Sequence, residues 1–280
     1  MSLKRYKSYL DLILRSIGSM LRFNSEKMYW FNGRLNLGDI YNVRLIEAMS
    51  GKSVTWIHPK VYPFNHILAC GSVIENATSR SIIWGSGCLF KDTIIPKHAT
   101  VHAVRGLQTF DKLSQEQKKS CRGIGDPGIL ASRLIPSSSE ASATSYRFGV
   151  VLHYADKEFF RSNDLSFLGS YKLIDIETDD LELFVQEICS VEVVISSSLH
   201  GLIFADSFLK PSIWLASSFD RIKGGHYKFI DYFSSIGVDE RMYHRLDEVL
   251  EARPFDPRTK MKEIEKSQNS LLASSPFREL

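Results

Sequence analysis

The sequence lacks the cysteine patterns of extracellular and zinc-binding proteins. Its 280 residues include only four cysteines, which are scattered, and no two of them form a Cys-x-x-Cys pair. Disulfide frameworks and structural zinc sites both require cysteines that are paired or regularly spaced. The chain is therefore predicted to work in a reducing compartment, the cytoplasm, without disulfides and without a structural zinc site.

Long apolar runs and strong charge are also absent. No run of apolar residues is long enough to cross a bilayer, and the formal net charge is only +3 at pH 7. So small a charge over this length does not indicate a nucleic-acid partner, and no RNA- or DNA-binding motif is present. The proportions of hydrophobic (44%) and charged (24%) residues are those of a globular protein.

Several common catalytic motifs are missing as well. The chain contains no Walker sequence, no Gly-x-Gly-x-x-Gly fingerprint, no Gly-x-Ser-x-Gly elbow and no His-Glu-x-x-His helix. No residues show the spacing of metal ligands either, so no metal is expected. The function must therefore be sought in less familiar groups of residues.

What the sequence does contain is an alternation of apolar strands and amphipathic helices. In the second half, the runs YRFGVVLHY, KLIDI, VEVVIS and SIWLAS alternate with helical patterns at DDLELFVQEIC and HGLIFADSF. Continuous β-branched runs between helices indicate a parallel sheet covered on both faces. The first half repeats this pattern, with one helix stopped by Gly51 and another at about 107–118. The predicted fold is α/β, with two Rossmann-like parallel-sheet domains facing a cleft.

The predicted organisation has five parts. Residues 26–134 form the first sheet domain and residues 148–253 the second, joined by a serine-rich linker at 135–147. A charged helical tail follows at 254–280. Residues 1–25 carry apolar side chains at helical spacing beside basic ones, so this helix either packs on the protein or lies on an anionic membrane surface.

The stretch ISSSLHGLIFADSF places three serines and a histidine directly after an apolar strand. At such a corner the first N–H groups of the helix carry partial positive charge, which favours a phosphate or a carboxylate. The hydroxyls of Ser196, Ser197 and Ser198 add donors, and His200 can titrate near neutral pH. Two interpretations stay open: an anion-binding site with an acid or base beside it, or a polar helix cap with a packed histidine.

The segment NLGDIYN is built in the same way. Asn36 lies in a tight turn that includes Gly38, and a helix is predicted to open at Asp39. Gly38 permits close approach of a ligand to the backbone. Asp39 either caps the helix or directs a carboxylate across the cleft, where it can take a proton from a hydroxyl group.

Two cations complete the candidate site. Arg105 follows a predicted strand in AVRG, and it either forms a surface ion pair or grips a carboxylate or phosphate with its forked guanidinium. Lys228 and His226 follow a Gly-Gly turn in KGGHYKFIDYF, and Lys223 directly precedes it. Cationic loops often close on anionic ligands, although exposed lysines usually have no specific role.

In order and spacing, these pieces resemble the polysaccharide pyruvyl transferases. The segments NLGDIYNVRLIEAMSG, IIWGSG, VRG, GDPGIL and VVISSSLHGLIFADSFLKPSIWL carry the resemblance, which runs from about Met28 to Tyr232. Its most specific parts are Asn-x-Gly-Asp at 36–39 and Ser-x-x-His-Gly at 197–201. Members of this family transfer the enolpyruvyl carbons of phosphoenolpyruvate onto a sugar as a pyruvate ketal.

The resemblance implies a two-domain fold of glycosyltransferase-B type and a site for phosphoenolpyruvate. Many members carry arginine where this chain has Ser198, in an Arg-Leu-His triplet. Phosphate binding here must therefore depend on Arg105, on helix N–H groups and on Lys228. The expected substrate-binding residues are Asn36, Gly38, Ser196, Ser197, Ser198, Leu199, Gly201 and Lys228.

The implied reaction needs an acid for the donor carbon and a base for the sugar hydroxyls. As a hypothesis, His200 is the acid or the phosphate partner, Asp39 is the base, and Arg105 holds the carboxylate or phosphate. No cofactor is expected besides phosphoenolpyruvate as donor. The expected partners are that donor and a sugar acceptor of an exopolysaccharide or cell-surface glycan, or its lipid-linked precursor, with peripheral contact at the inner membrane surface through residues 1–25.

Two other functions stay open at the level of sequence. A basic cleft between two sheets also suits a nucleotide-sugar-dependent glycosyltransferase of the same fold type. The serine at position 198 also allows a non-catalytic glycan-binding relative that has kept the fold and lost the chemistry. Binding of a nucleoside diphosphate would favour the first alternative, and ligand binding without turnover would favour the second.

Overall fold

A computed structural model of the chain describes residues 22, 24–136, 146–158, 165–215, 223–239 and 241–277. All but the last few residues of the helix predicted at 1–25 lie outside these ranges, and so does most of the linker predicted at 135–147. Within the described ranges, no helix is long and apolar enough to cross a membrane.

The first sheet has six parallel strands in the order β2-β1-β3-β4-β5-β6. The strands β2 and β3 lie on opposite sides of β1, so the winding direction of the sheet reverses beside β1. The six strands are β1 (Ser25–Met28), β2 (Ser53–Trp56), β3 (His66–Leu68), β4 (Ser81–Trp84), β5 (Thr100–Val104) and β6 (Gly123–Ile124).

The second sheet has five parallel strands in the order β11-β10-β9-β7-β8. Here the winding reverses beside β7, which lies between β8 and β9. The five strands are β7 (Tyr146–Val151), β8 (Tyr171–Ile174), β9 (Val191–Ser196), β10 (Ser212–Leu215) and β11 (Tyr243–His244). The predicted α/β class with two parallel sheets is confirmed, whereas the glycosyltransferase-B arrangement of two domains stays a prediction.

Helices connect the strands and cover the sheets. They are α1 (Leu37–Ser50), α2 (Leu107–Phe110), α3 (Gln115–Ser120), α4 (Ala131–Leu134), α5 (Leu181–Cys189), α6 (Leu199–Ser207), α7 (Tyr227–Ser235) and α8 (Met261–Ala273). Among the described residues, short 3-10 turns lie at Ile74–Asn76, Pro127–Leu130, Ser166–Leu168, Leu246–Glu248 and Pro257–Lys260. Helix α1 ends as predicted, because Gly51 has the left-handed φ of 67° that closes a helix.

The single helix predicted at 107–118 is wrong. The structure has two short helices there, α2 and α3, because Ser114 starts a new helix instead of continuing the first. Its side chain accepts the Gln117 N–H while the Gln117 side chain accepts the Ser114 N–H. This reciprocal capping box stabilises a helix start at that point and interrupts the preceding turn.

Buried side chains from both sheets share one hydrophobic cluster, and the helices that begin at the candidate site pack inside it. The ring of Tyr41 in α1 meets Phe204 in α6 edge-on, with centroids 5.4 Å apart. Phe184 of α5 contacts the same Phe204 at 5.6 Å. Helix α8 adds to the cluster through Leu271, whose carbonyl accepts the indole N–H of Trp84 at 3.0 Å. The packing of α1 on α6 sets the distance between their N-terminal turns.

Candidate active site at the carboxyl ends of both sheets

A cavity of about 370 Å³ lies where the winding of each sheet reverses. Ligands in open parallel sheets bind at such reversal points, outside the carboxyl ends of the strands. Its walls come from the segments that follow β1 and β3 in one sheet and β7 and β9 in the other, together with Leu89 and two lysines. The lining residues are Tyr29, Phe31, Asn36, Asp39, Gly71, Ser72, Val73, Glu75, Asn76, Leu89, His153, Tyr154, Ser198, Leu199, His200, Lys223 and Lys228.

Asp39 lines this cavity and does not cap helix α1. The cap is Asn36, whose Oδ1 accepts the Gly38 N–H at 3.0 Å, so the helix begins at Leu37 and not at Asp39. The Asp39 side chain is 9% exposed. Burial raises the pKa of this carboxyl group to about 8, against a smaller opposing effect of the Phe31 backbone. Asp39 therefore carries a proton at pH 7 when no ligand is bound.

The N-terminal turns of α1 and α6 meet at Gly38 and His200. A Cβ atom on Gly38 would lie 2.2 Å from both Cε1 and Nδ1 of the His200 ring. Glycine at position 38 therefore makes room for the imidazole of His200, and the space beside its Cα atom is not open to a ligand. The contact brings His200 beside the residue that precedes Asp39.

The three serines have different positions. The hydroxyl of Ser196 accepts the Ser198 N–H at 3.0 Å, and the hydroxyl of Ser197 accepts the His153 N–H at 2.9 Å. These two serines are buried and fasten the corner after β9 to the end of β7. Ser198 is the N-cap residue of α6, but its side chain forms no capping hydrogen bond and lines the cavity. Gly201 packs on the corner from inside, since a Cβ there would lie 2.3 Å from the Ser196 hydroxyl.

His200 is a half-buried imidazole in the first turn of α6. Its Nε2 atom is buried and has no hydrogen-bond partner among the described residues. Burial lowers the pKa of His200 to about 4, and the charges of Lys228 and Arg105 lower it further in the same direction. The ring is therefore neutral at pH 7 in the ligand-free site. Leu199, beside it, lines the cavity with its apolar side chain.

Arg105 lies behind the cavity and forms neither a surface ion pair nor a free anion grip. Its Nε donates to Asp231 Oδ2 at 2.9 Å, its Nη2 donates to Cys88 O at 2.7 Å, and its Nη1 donates to the hydroxyl of Ser72. Both Arg105 and Asp231 are completely buried. Only Ser72, which takes one of these bonds, lines the cavity. The sequence indicates Arg105 as a residue whose guanidinium group binds the donor. In the structure that group already donates hydrogen bonds to Asp231, Ser72 and Cys88.

Lys228 and Lys223 supply positive charge to the cavity wall. Burial lowers the pKa of Lys228 to about 8, with Arg105 acting in the same direction and Asp156 against it, so the ammonium group is still mainly charged at pH 7. Neither lysine forms an ion pair with a described residue. His226 of the same segment packs instead against Trp214, with ring centroids 5.2 Å apart.

The structure adds residues to the site that the sequence reasoning missed. His153 and Tyr154 follow β7, and Ser72 and Glu75 follow β3, each at the carboxyl end of a strand. The rule that singled out the corner after β9 applies equally to the letters HY that end YRFGVVLHY. His153 could have been found in that way. Glu75 has no comparable signal, because a 3-10 turn carries it into the cavity wall.

Fold and site together define an α/β protein with a cavity between two parallel sheets that is lined by two lysines, two histidines and two carboxyl groups. The chain belongs to the polysaccharide pyruvyl transferase family, whose model matches residues 25–218. Membership in this family identifies a transferase concerned with pyruvyl transfer to polysaccharide.

Two similar proteins place the chain among its relatives. It is 30% identical to an uncharacterized protein of Acanthamoeba polyphaga mimivirus over 223 residues. The matched region covers 78% of this chain and 77% of the viral protein. A functionally uncharacterized Klebsiella pneumoniae protein of known crystal structure is 16% identical, covering 83% of this chain and 94% of that one, with a TM-score of 0.40. That likeness is too slight to support an inference.

Proposed function

We propose that the protein transfers the enolpyruvyl carbons of phosphoenolpyruvate to a sugar, forms a pyruvate ketal and releases phosphate. The observation that carries this proposal is the cavity at the reversal points of both sheets, where the N-terminal turns of two helices meet beside two lysines that pair with no carboxylate among the described residues. The acceptor we propose is a sugar of an exopolysaccharide or cell-surface glycan, or of its lipid-linked precursor at the cytoplasmic face of the membrane.

The electrostatics of the cavity suit an acidic donor. Phosphoenolpyruvate carries a phosphate and a carboxylate, and both groups favour ammonium side chains and helix N–H donors. The N-terminus of α6 and Lys228 provide them directly, and Lys223 adds a second ammonium group to the cavity wall. These sources compensate for the serine at position 198, where many family members have arginine.

The protonation states exchange the roles that the sequence suggested. In the ligand-free site Asp39 holds a proton and His200 does not, which supports Asp39 as the acid and His200 as the base in the proposed reaction. Asp39 gives its proton to the methylene carbon of the donor. His200 takes the proton of the first sugar hydroxyl as that oxygen bonds to C2.

The second half of the reaction restores both residues. The imidazolium of His200 gives this proton to the departing phosphate as the bond between C2 and the bridging phosphate oxygen breaks. The second sugar hydroxyl then bonds to C2, and the Asp39 carboxylate takes its proton. Both residues end in their starting states, and the two hydroxyl protons are accounted for in the new methyl group and the released phosphate. No cofactor enters this sequence besides the donor itself.

The test is phosphate release from phosphoenolpyruvate with a panel of sugar acceptors, followed by ³¹P NMR. The wild-type protein should release phosphate with a matching acceptor, and in D₂O the methyl group of the ketal should carry one deuterium. His200→Ala and Asp39→Asn should lose this activity, while His98→Ala, which changes an exposed histidine away from the cavity, should keep it.

Other outcomes would contradict the proposal. A chain that hydrolyses or transfers from a nucleotide sugar and ignores phosphoenolpyruvate would be a glycosyltransferase. Tight binding of phosphoenolpyruvate without turnover on any acceptor would indicate a binding protein that has lost the chemistry. Full activity of His200→Ala would remove this residue from the mechanism.

A further inference from the structure

We propose that His153 is an additional donor-binding residue, which gives a hydrogen bond from Nε2–H to an acidic oxygen of phosphoenolpyruvate. This inference rests on the proposed function and extends it to a residue outside the family motifs considered above. His153 lies at the end of β7, directly across the corner from α6, and its ring lines the same cavity as His200.

The backbone holds His153 in one tautomer. Its Nδ1 atom accepts the N–H of Ala155 at 3.2 Å, so Nδ1 carries no proton and Nε2 carries the proton of the neutral ring. Its own N–H donates to the Ser197 hydroxyl at 2.9 Å, which ties the residue to the corner after β9. The orientation of the ring is therefore set on two sides before any ligand enters.

The Nε2–H group of His153 donates no hydrogen bond to a described residue. The hydrogen bonds and ring contacts of His153 within the described residues go to Ala155, Asp156, Ser197 and the neighbouring ring of Tyr154, and none of them involves Nε2. The residue is only 8% exposed and it lines the cavity, so an acceptor for the Nε2–H group has to come from the cavity. An acidic oxygen of a ligand in the cavity would satisfy it.

The surroundings keep this donor neutral. Burial lowers the pKa of His153 to about 3, and the nearby charges of Lys228, His200 and Arg34 act in the same direction. His153 is therefore neutral at pH 7, as His200 is. We assign proton transfer to His200 and the holding of the donor to His153, whose Nδ1 atom already accepts the Ala155 N–H.

Two substitutions separate a hydrogen-bonding role from a packing role. His153→Asn keeps an acceptor at the Nδ1 position for the Ala155 N–H but has no donor at the Nε2 position. His153→Gln supplies an amide donor at the Nε2 position and gives up the Nδ1 acceptor. A residue needed only for packing should tolerate the smaller, backbone-satisfying Asn at least as well as Gln.

The experiment is calorimetric titration of the full chain and both variants with phosphoenolpyruvate and with inorganic phosphate, after thermal unfolding has shown that the variants fold. His153→Asn should bind phosphoenolpyruvate about 10- to 100-fold more weakly, the loss expected for a hydrogen bond to a charged group, and His153→Gln should stay within about threefold of wild type. In turnover, His153→Asn should raise KM for the donor, leave kcat within about threefold, and leave the pH profile unchanged.

The outcomes decide the inference separately from the proposed function. If phosphate and phosphoenolpyruvate are both weakened by His153→Asn, the bond goes to the phosphate group; if only phosphoenolpyruvate is weakened, it goes to the carboxylate, and both results support the proposal. Wild-type affinity in His153→Asn, or equal losses in both variants, would overturn it. Wild-type protein that binds no phosphoenolpyruvate would instead overturn the proposed function.

Discussion

A methyl group added to Gly38 should collide with His200, and its effect on stability should change sign when His200 is removed. The added Cβ would lie 2.2 Å from the imidazole, far inside van der Waals contact. Overpacking of this kind costs about 1–3 kcal/mol. Alanine is otherwise favoured over glycine in a helix by about 0.5–1 kcal/mol. Gly38→Ala should therefore destabilise the protein by up to about 2.5 kcal/mol.

In a His200→Ala background the collision partner is gone. Gly38→Ala should then stabilise the protein by the helix term alone, about 0.5–1 kcal/mol. The assay is urea and thermal unfolding of the four proteins of this double-mutant cycle, in which each kcal/mol moves Tm by about 2–4 °C. Equal effects of Gly38→Ala in both backgrounds would refute the meeting of the two helix N-termini, and with it the shared site.

Three further predictions concern charge. The pKa of Asp39 is about 8 in the folded protein and near 4 in the unfolded chain, so the folded state binds more protons between these two pH values. The free energy of unfolding should therefore fall as pH rises through this range, by on the order of 2 kcal/mol between about pH 6.5 and 8. Urea unfolding of Asp39→Asn should no longer show this fall. Asp231→Asn leaves the buried guanidinium of Arg105 without its counter-charge and should lower the free energy of unfolding by about 3–5 kcal/mol. Glu182→Gln, which removes an exposed ion pair, should lower it by less than about 1 kcal/mol. Similar losses in both variants would contradict the buried ion pair. Ser198→Arg should lower KM for phosphoenolpyruvate in a salt-sensitive way, and an unchanged KM would argue against a donor phosphate near α6.

The fold was predictable where the signal was periodic. Continuous apolar runs between amphipathic helices predicted two parallel sheets, and both are present. The helix break at Ser114 was missed although it was readable, because Ser-x-x-Gln is a capping signal that a hydrophobic pattern does not register. Local capping therefore corrected a prediction made from the spacing of apolar residues alone.

The candidate site was predictable only in part. Asp39, Ser198 and His200 share one cavity because the carboxyl ends of parallel strands share one edge, which is a property of topology. Arg105 pairs with Asp231, which lies 126 positions further along the chain. No pattern in the sequence around Arg105 predicts so distant a partner. The protonation states were also beyond the sequence, since they follow from burial in the folded chain.

The most direct measurement is a crystal structure of the wild-type protein soaked with phosphoenolpyruvate. The account predicts donor density in the cavity between the two sheets, with acidic oxygens within hydrogen-bond distance of the N-terminus of α6 and of Lys228, and with the methylene carbon beside Asp39. Density for phosphoenolpyruvate at another place on the molecule, in protein that is active on this donor, would contradict it.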